Sequence, residues 1–126
     1  MVYKAQSGHP GGSLSCIDIL VGLYRSVMRF DPDNPGWEDR DRFIMSKGHA
    51  SPAVYSILRD VGVLDDSDLD GFRSLGSVCQ GHVDRKWTDG VDFSAGSLGM
   101  GLSFGLGSAL AARLDLSDRH TWVLLG

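Results

Sequence analysis

Three of the four histidines in this chain stand directly behind a glycine, in Ser7-Gly8-His9-Pro10, Lys47-Gly48-His49-Ala50 and Gln80-Gly81-His82-Val83. Imidazole changes charge near neutral pH and can donate to substrate hydroxyls or move their protons. A fourth stretch, Ser94-Ala95-Gly96-Ser97-Leu98-Gly99-Met100-Gly101-Leu102-Ser103-Phe104-Gly105, runs into a helical pattern that ends near Leu114. Glycines at a loop-to-helix junction let the backbone come close to a ligand, and free N–H groups at a helix start favour an anion. The spacing is not the dinucleotide fingerprint. After Gly99-x-Gly101 the third glycine would fall at Phe104, and Gly105 comes one position late. Gly101 and Gly105, one helical turn apart, equally suit close packing of a helix.

Other chemistries find little support. The histidines form no close His-x-x-His pair and Cys16 and Cys79 no Cys-x-x-Cys pair, so a zinc site is not indicated. The two cysteines read as reduced, buried apolar fillers. Gly-x-Ser-x-Gly does not occur, which removes the nucleophile elbow. Lys47, and the acidic trio Asp84, Asp89 and Asp92, read as solvated; His120 reads as a surface residue between a turn and a strand. A formal net charge of −4 argues against a nucleic-acid or membrane surface. No apolar run approaches the roughly 18 residues of a membrane span, and Met1-Val2-Tyr3-Lys4 is not the start of a signal peptide. A cytoplasmic protein is expected.

The elements that must position these residues follow from periodicity. Residues 1–6 read as the last turns of a helix, and 7–12 as a loop exposing His9. Ser15 is a candidate N-cap for a helix whose apolar face is Ile17, Leu20, Val21, Tyr24, Val27 and Met28. Residues 31–36 form a turn cluster and 37–42 a charged surface connection. Arg42-Phe43-Ile44-Met45-Ser46 reads as a buried strand with the His49 loop at its carboxyl end. Ser51-Pro52 then opens a helix with Val54, Ile57, Leu58 and Val61 inward, ended by Gly62. Asp65 to Phe72 reads as a short acidic-capped helix, His82 lies on an irregular loop, and Thr121 to Leu125 reads as a second buried strand. Strand, glycine-histidine loop and helix start is the arrangement by which open α/β sheets place ligands at strand carboxyl ends. The expected fold is α/β, a parallel sheet with helices on both faces. Residues 1–126 are expected to be one partial domain, incomplete at both ends, because the first helix has no beginning and the last strand no successor.

Taken together, Ser7-Gly8-His9-Pro10-Gly11, Lys47-Gly48-His49-Ala50-Ser51, Gly81-His82 and Gly96-Ser97-Leu98-Gly99-Met100-Gly101 resemble, in order and approximate spacing, the N-terminal domain of transketolases. Val123-Leu124-Leu125-Gly126 is similar to the strand leading into that family's Gly-Asp-Gly motif. The wording is most similar to small, split transketolases, in which this domain forms a separate polypeptide.

The resemblance implies thiamine diphosphate, bound with Mg2+ or another divalent metal between this domain and the pyrimidine-binding domain of a partner. It implies transfer of a two-carbon ketol unit from a ketose phosphate to an aldose phosphate. Carried over, His9 and His49 would line the diphosphate and substrate side, and His82 would donate to substrate hydroxyls. Gly96, Ser97, Leu98 and Gly99 would contact the cofactor, with Leu98 against its rings; Ser97 departs from the proline common in the family. The metal ligands and the activating glutamate are expected outside these 126 residues, so the isolated chain is expected to be inactive. The expected partners are sugar phosphates and a C-terminal subunit or pyrimidine-binding domain, in a homo- or heterodimer of such units. Two alternatives stay open: a non-catalytic interaction module, and another thiamine enzyme such as deoxyxylulose-phosphate synthase.

Overall fold

Two parallel strands, β1 (Arg42–Met45) and β2 (Thr121–Leu124), form the centre of the fold, with Phe43 opposite Trp122, Ile44 opposite Val123 and Met45 opposite Leu124. The computed structural model describes all of residues 1–126. Side chains alternate across a strand. Phe43, Met45, Trp122 and Leu124 therefore enter a core shared with Leu20, Tyr24, Val54 and Leu58. Ser46, Thr121 and Val123 face the last helix, α6 (Met100–Leu114).

Helix α6 can lie on the sheet because its contact face has almost no side chains. A Cβ on Gly101 would sit 2.7 Å from Ser46 Cβ, and one on Gly105 would overlap Val123 Cγ2. This pair is a packing device, and the ligand-loop reading rests on residues 94–99 alone. Gly99 caps the helix with φ +84°, a left-handed conformation suited to glycine.

The opposite face carries α1 (Val2–Ala5), α2 (Pro10–Leu14), α3 (Ile17–Gly22), α4 (Ser51–Val61) and α5 (Asp66–Asp70). Helices thus cover both faces, as the sequence predicts. Val54, Ile57 and Leu58 of α4 are buried, and Gly62 ends that helix at φ +103°. Asp65 and Asp68 form a reciprocal capping box at the start of α5, and Phe72 is buried just beyond it.

Several local expectations are corrected. The loop predicted after residue 6 is short, because Pro10 starts α2 with its ring-fixed φ. Ser15 closes α2 rather than capping the next helix; Cys16 takes the cap position, and the Ser15 hydroxyl donates back to the Gly12 carbonyl at 3.0 Å. Helix α3 passes into a π turn, Leu23–Val27, where Met28 N–H bonds the Leu23 carbonyl. Val21 and Val27, expected inside, are exposed. Ser51 is already helical, with Ala50 as the cap.

The predicted surface connection before β1 is not a surface either. Arg40 and Asp41 are buried. The Arg40 guanidinium donates to both Asp92 oxygens at 2.9 and 2.8 Å, so Asp92 is a buried partner rather than part of a solvated acidic loop. Asp41 accepts from His120 N–H at 2.8 Å and the Trp122 indole at 3.1 Å. Lys47, expected in solvent, is buried and donates to Ser15 Oγ at 3.0 Å. Reading charges one at a time overlooks such pairs because their partners lie 32 to 81 positions away.

Candidate functional site

His9 is placed by α2, as the residue just before Pro10. His49 sits in a single 3₁₀ turn, Gly48–Ala50, between β1 and α4. Their rings meet edge to face with centroids 5.3 Å apart. A Cβ on Gly12 would lie 3.3 Å from both Cδ2 and Nε2 of His49, so α2 lies directly on that imidazole.

His82 comes from a loop suspended from α4. Ser51 Oγ donates to the Gly81 carbonyl at 2.9 Å, and the Tyr55 hydroxyl bridges the carbonyls of Gln80 and His82 at 2.8 and 3.2 Å. The glycine-rich stretch joins by its backbone: Ala95 N–H bonds the Val83 carbonyl at 2.9 Å. Gly48 approaches Ala95 so closely that a Cβ there would be 2.6 Å from Ala95 Cβ. Four separate sequence motifs therefore meet at the carboxyl end of β1. Gly126, at the end of β2, is also near, since a Cβ on it would lie 2.8 Å from Lys47 Cδ.

The electrostatics are cationic. His82 stays largely exposed. What desolvation it suffers lowers its pKa below the usual histidine value, and the positive charge of Arg73 and then of His49 and His9 lowers it further. His82 is consequently a neutral imidazole at pH 7, able to accept at one nitrogen and donate from the other. His120, read from sequence as a surface residue, is indeed exposed and apart from this cleft.

Gly96, Ser97, Leu98 and Gly99 form an exposed crest beside the histidines. Leu98 is 69% exposed and nothing lies within 4 Å of a Cβ built on Gly96, so the crest is open to a ligand. None of the three larger cavities is lined by His9, His49 or His82. The largest, about 410 Å³, lies between α6 and the Arg40–Asp92 pair, where Arg40 is already neutralised. The histidine cleft is an open surface.

The family described as "Transketolase, thiamine diphosphate binding domain" matches residues 1–122. This chain belongs to that family. One of the two subunits of an apulose-4-phosphate transketolase from Phocaeicola vulgatus is 44% identical over 126 residues, which is 100% of this chain and 44% of the relative. The 6-deoxy-6-sulfo-D-fructose transketolase subunit SqwG of a Clostridium species is 41% identical over 98% of this chain and 45% of its own length. The crystal structure of a Pichia stipitis transketolase in complex with sedoheptulose 7-phosphate superposes with a TM-score of 0.83 at 35% identity, covering 99% of this chain and 20% of that one. This transketolase domain thus spans less than half the length of the split relatives it matches.

The sequence reading of this transketolase domain missed Arg73. Its Nη1 donates to Ser7 Oγ at 2.6 Å, and its Nε is buried without a hydrogen-bond partner. No local pattern marks it, since its placement depends on a left-handed φ of +64° at a non-glycine residue. No group of three or more His, Cys, Asp or Glu side chains is arranged to hold a metal ion.

Proposed function

We propose that this domain supplies the diphosphate side of a thiamine-diphosphate-dependent transfer of a two-carbon ketol unit from a ketose phosphate to an aldose phosphate. The observation that carries the reading is the convergence of His9, His49, His82 and the Gly96–Gly99 crest at one strand end. The crest fits the cofactor: it offers open backbone at Gly96 and an exposed apolar side chain, Leu98, for a ring to cover. When bound, thiamine diphosphate supplies the electron sink for breaking and making the carbon–carbon bond. His49, Gly96, Ser97, Leu98 and Gly99 hold it. His9, His49 and His82 exchange protons with substrate hydroxyls, and the neutral His82 imidazole suits that task. A divalent ion such as Mg2+ finds no ligand set among these residues, and the roles given to the histidines do not depend on it.

The reading includes a partner, a C-terminal subunit or pyrimidine-binding domain, in a homo- or heterodimer of such units. The outward face of α6 supports it. Leu102, Leu106, Leu110 and Leu114 are exposed along a helix with no charged residue before Arg113. Apolar surface of this kind marks an interface. The two buried, unpaired cysteines accord with a reducing, cytoplasmic setting.

The test mixes the chain with a complementary pyrimidine-domain polypeptide, thiamine diphosphate and Mg2+. The chain alone should transfer nothing, and the pair should bind the cofactor and transfer two carbons. Leu98→Ala should weaken cofactor binding about tenfold, the scale of one lost apolar side-chain contact. Binding without transfer would establish the non-catalytic module instead, and a pair that binds no thiamine diphosphate would refute the proposal.

A further inference from the structure

Arg73 is held in an unusual way for a loop residue. Its φ is +64°, a region that side-chain-bearing residues rarely occupy, and such strain persists only where the surroundings enforce it. The enforcing contacts are visible. Arg73 N–H bonds the Cys79 carbonyl at 2.9 Å, closing the loop that leads to Gly81 and His82. Its guanidinium lies 5.5 Å from the Phe72 ring centroid, and that ring is buried. Nη1 donates to Ser7 Oγ at 2.6 Å, two residues before His9. Gly81 rests against the same side chain, since a Cβ there would lie 3.2 Å from Arg73 Nε.

We propose that Arg73 is a positioning residue that braces the His82 loop against the His9 loop and sets the electrostatic environment of His82. One side chain touches the residue beside His82 and the residue two before His9, and it has no acidic partner to neutralise it. Its charge is therefore presented to the cleft. A lysine could keep the charge but could not reach Ser7 and stack on Phe72 together, because it lacks the planar fork. The groups facing His82 are Arg73, His49 and His9, with the Tyr55 hydroxyl on its carbonyl and Asp84 on its own loop. The importance of a neutral His82 for proton exchange rests on the transketolase reading above; the brace itself does not.

The experiment follows the titration of the histidine ring protons by NMR in the full 126-residue chain. In the wild type His82 should titrate below the usual value of 6.5. Arg73→Met should raise that midpoint by about half a unit, and Arg73→Lys should restore part of the depression. Should Arg73→Met fail to fold, Ser7→Ala removes only an exposed hydroxyl; it should raise the His82 midpoint by a smaller amount and move the His9 resonances. A folded Arg73→Met with an unchanged His82 midpoint would overturn the proposal, as would Ser7→Ala with both titrations unmoved. Neither measurement needs activity, cofactor or partner, so its failure stands apart from failure of the transketolase reading.

Discussion

Asp41 shows how one buried carboxylate can organise a site it never touches. Its side chain is 2% exposed and accepts from the N–H groups of His120 and Arg29 and from the Trp122 indole. Burial alone would raise its pKa, but these hydrogen bonds outweigh burial and hold it below the usual aspartate value. A carboxyl with a depressed folded-state pKa contributes stability above its unfolded pKa, and that contribution is lost as pH falls through the folded value. The expected window is therefore on the acid side, from about pH 4 downward. Asp41→Ala should cost about 1–3 kcal/mol at pH 7, because it leaves buried donors unpaired. Asp41→Asn should flatten the acid limb of the stability profile in urea titrations. An acid limb as steep in Asp41→Asn as in the wild type would show that Asp41 does not carry it. None of this is legible from residues 37–42, where Glu38, Asp39, Arg40 and Asp41 form an ordinary run of charges. Which of them turn inward depends on Asp92 and Trp122, far along the chain.

Helix α6 has two faces with opposite tasks. Gly101, Gly105 and Ala112 are buried, and the two glycines lie against the sheet; on the outer side Leu106 and Leu110 are 62% and 49% exposed. Gly105→Val should destabilise the chain by about 1–3 kcal/mol through overpacking against Val123, readable as a lower thermal midpoint. The double variant Leu106→Glu, Leu110→Glu should leave that midpoint nearly unchanged and abolish association with the complementary polypeptide in sedimentation. If the double variant still associates, the partner docks elsewhere. The strands and helices α4, α5 and α6 were readable because apolar spacing and end signals agree, as at Gly62. Between residues 10 and 28 they do not agree. Pro10 starts a helix inside a glycine-rich segment, and the π turn Leu23–Val27 shifts the apolar register, so Val21 and Val27 point outward. Periodicity assumes an unbroken helix and has no means of anticipating the extra residue in a π turn.

At the scale of the whole molecule, the chain exposes Leu98, Met100, Leu102, Phe104, Leu106, Leu110 and Leu114 together along one helix and its entry loop. The isolated chain should bind a hydrophobic dye strongly, and the complementary polypeptide should suppress that fluorescence. Dye binding that persists in the complex would place this surface outside the interface. The candidate site was largely legible, because Gly8-His9, Gly48-His49, Gly81-His82 and Gly96–Gly99 are local motifs that need only to be brought together. Their supports were not, since Tyr55, Ser51 and Arg73 act on main-chain carbonyls or across 25 to 66 positions.

Those supports have a bearing on how such domains diversify. The bonds from Ser51 and Tyr55 to the carbonyls of Gly81, Gln80 and His82, and from Ala95 N–H to Val83, are read by main-chain atoms of the His82 loop. They make no demand on which side chain that loop points into the cleft. Cleft-facing residues can therefore drift while the scaffold keeps its shape, a separation of chassis from cargo that favours the recruitment of new sugars. Relatives named for apulose 4-phosphate and for 6-deoxy-6-sulfo-D-fructose are the kind of variety such an architecture permits.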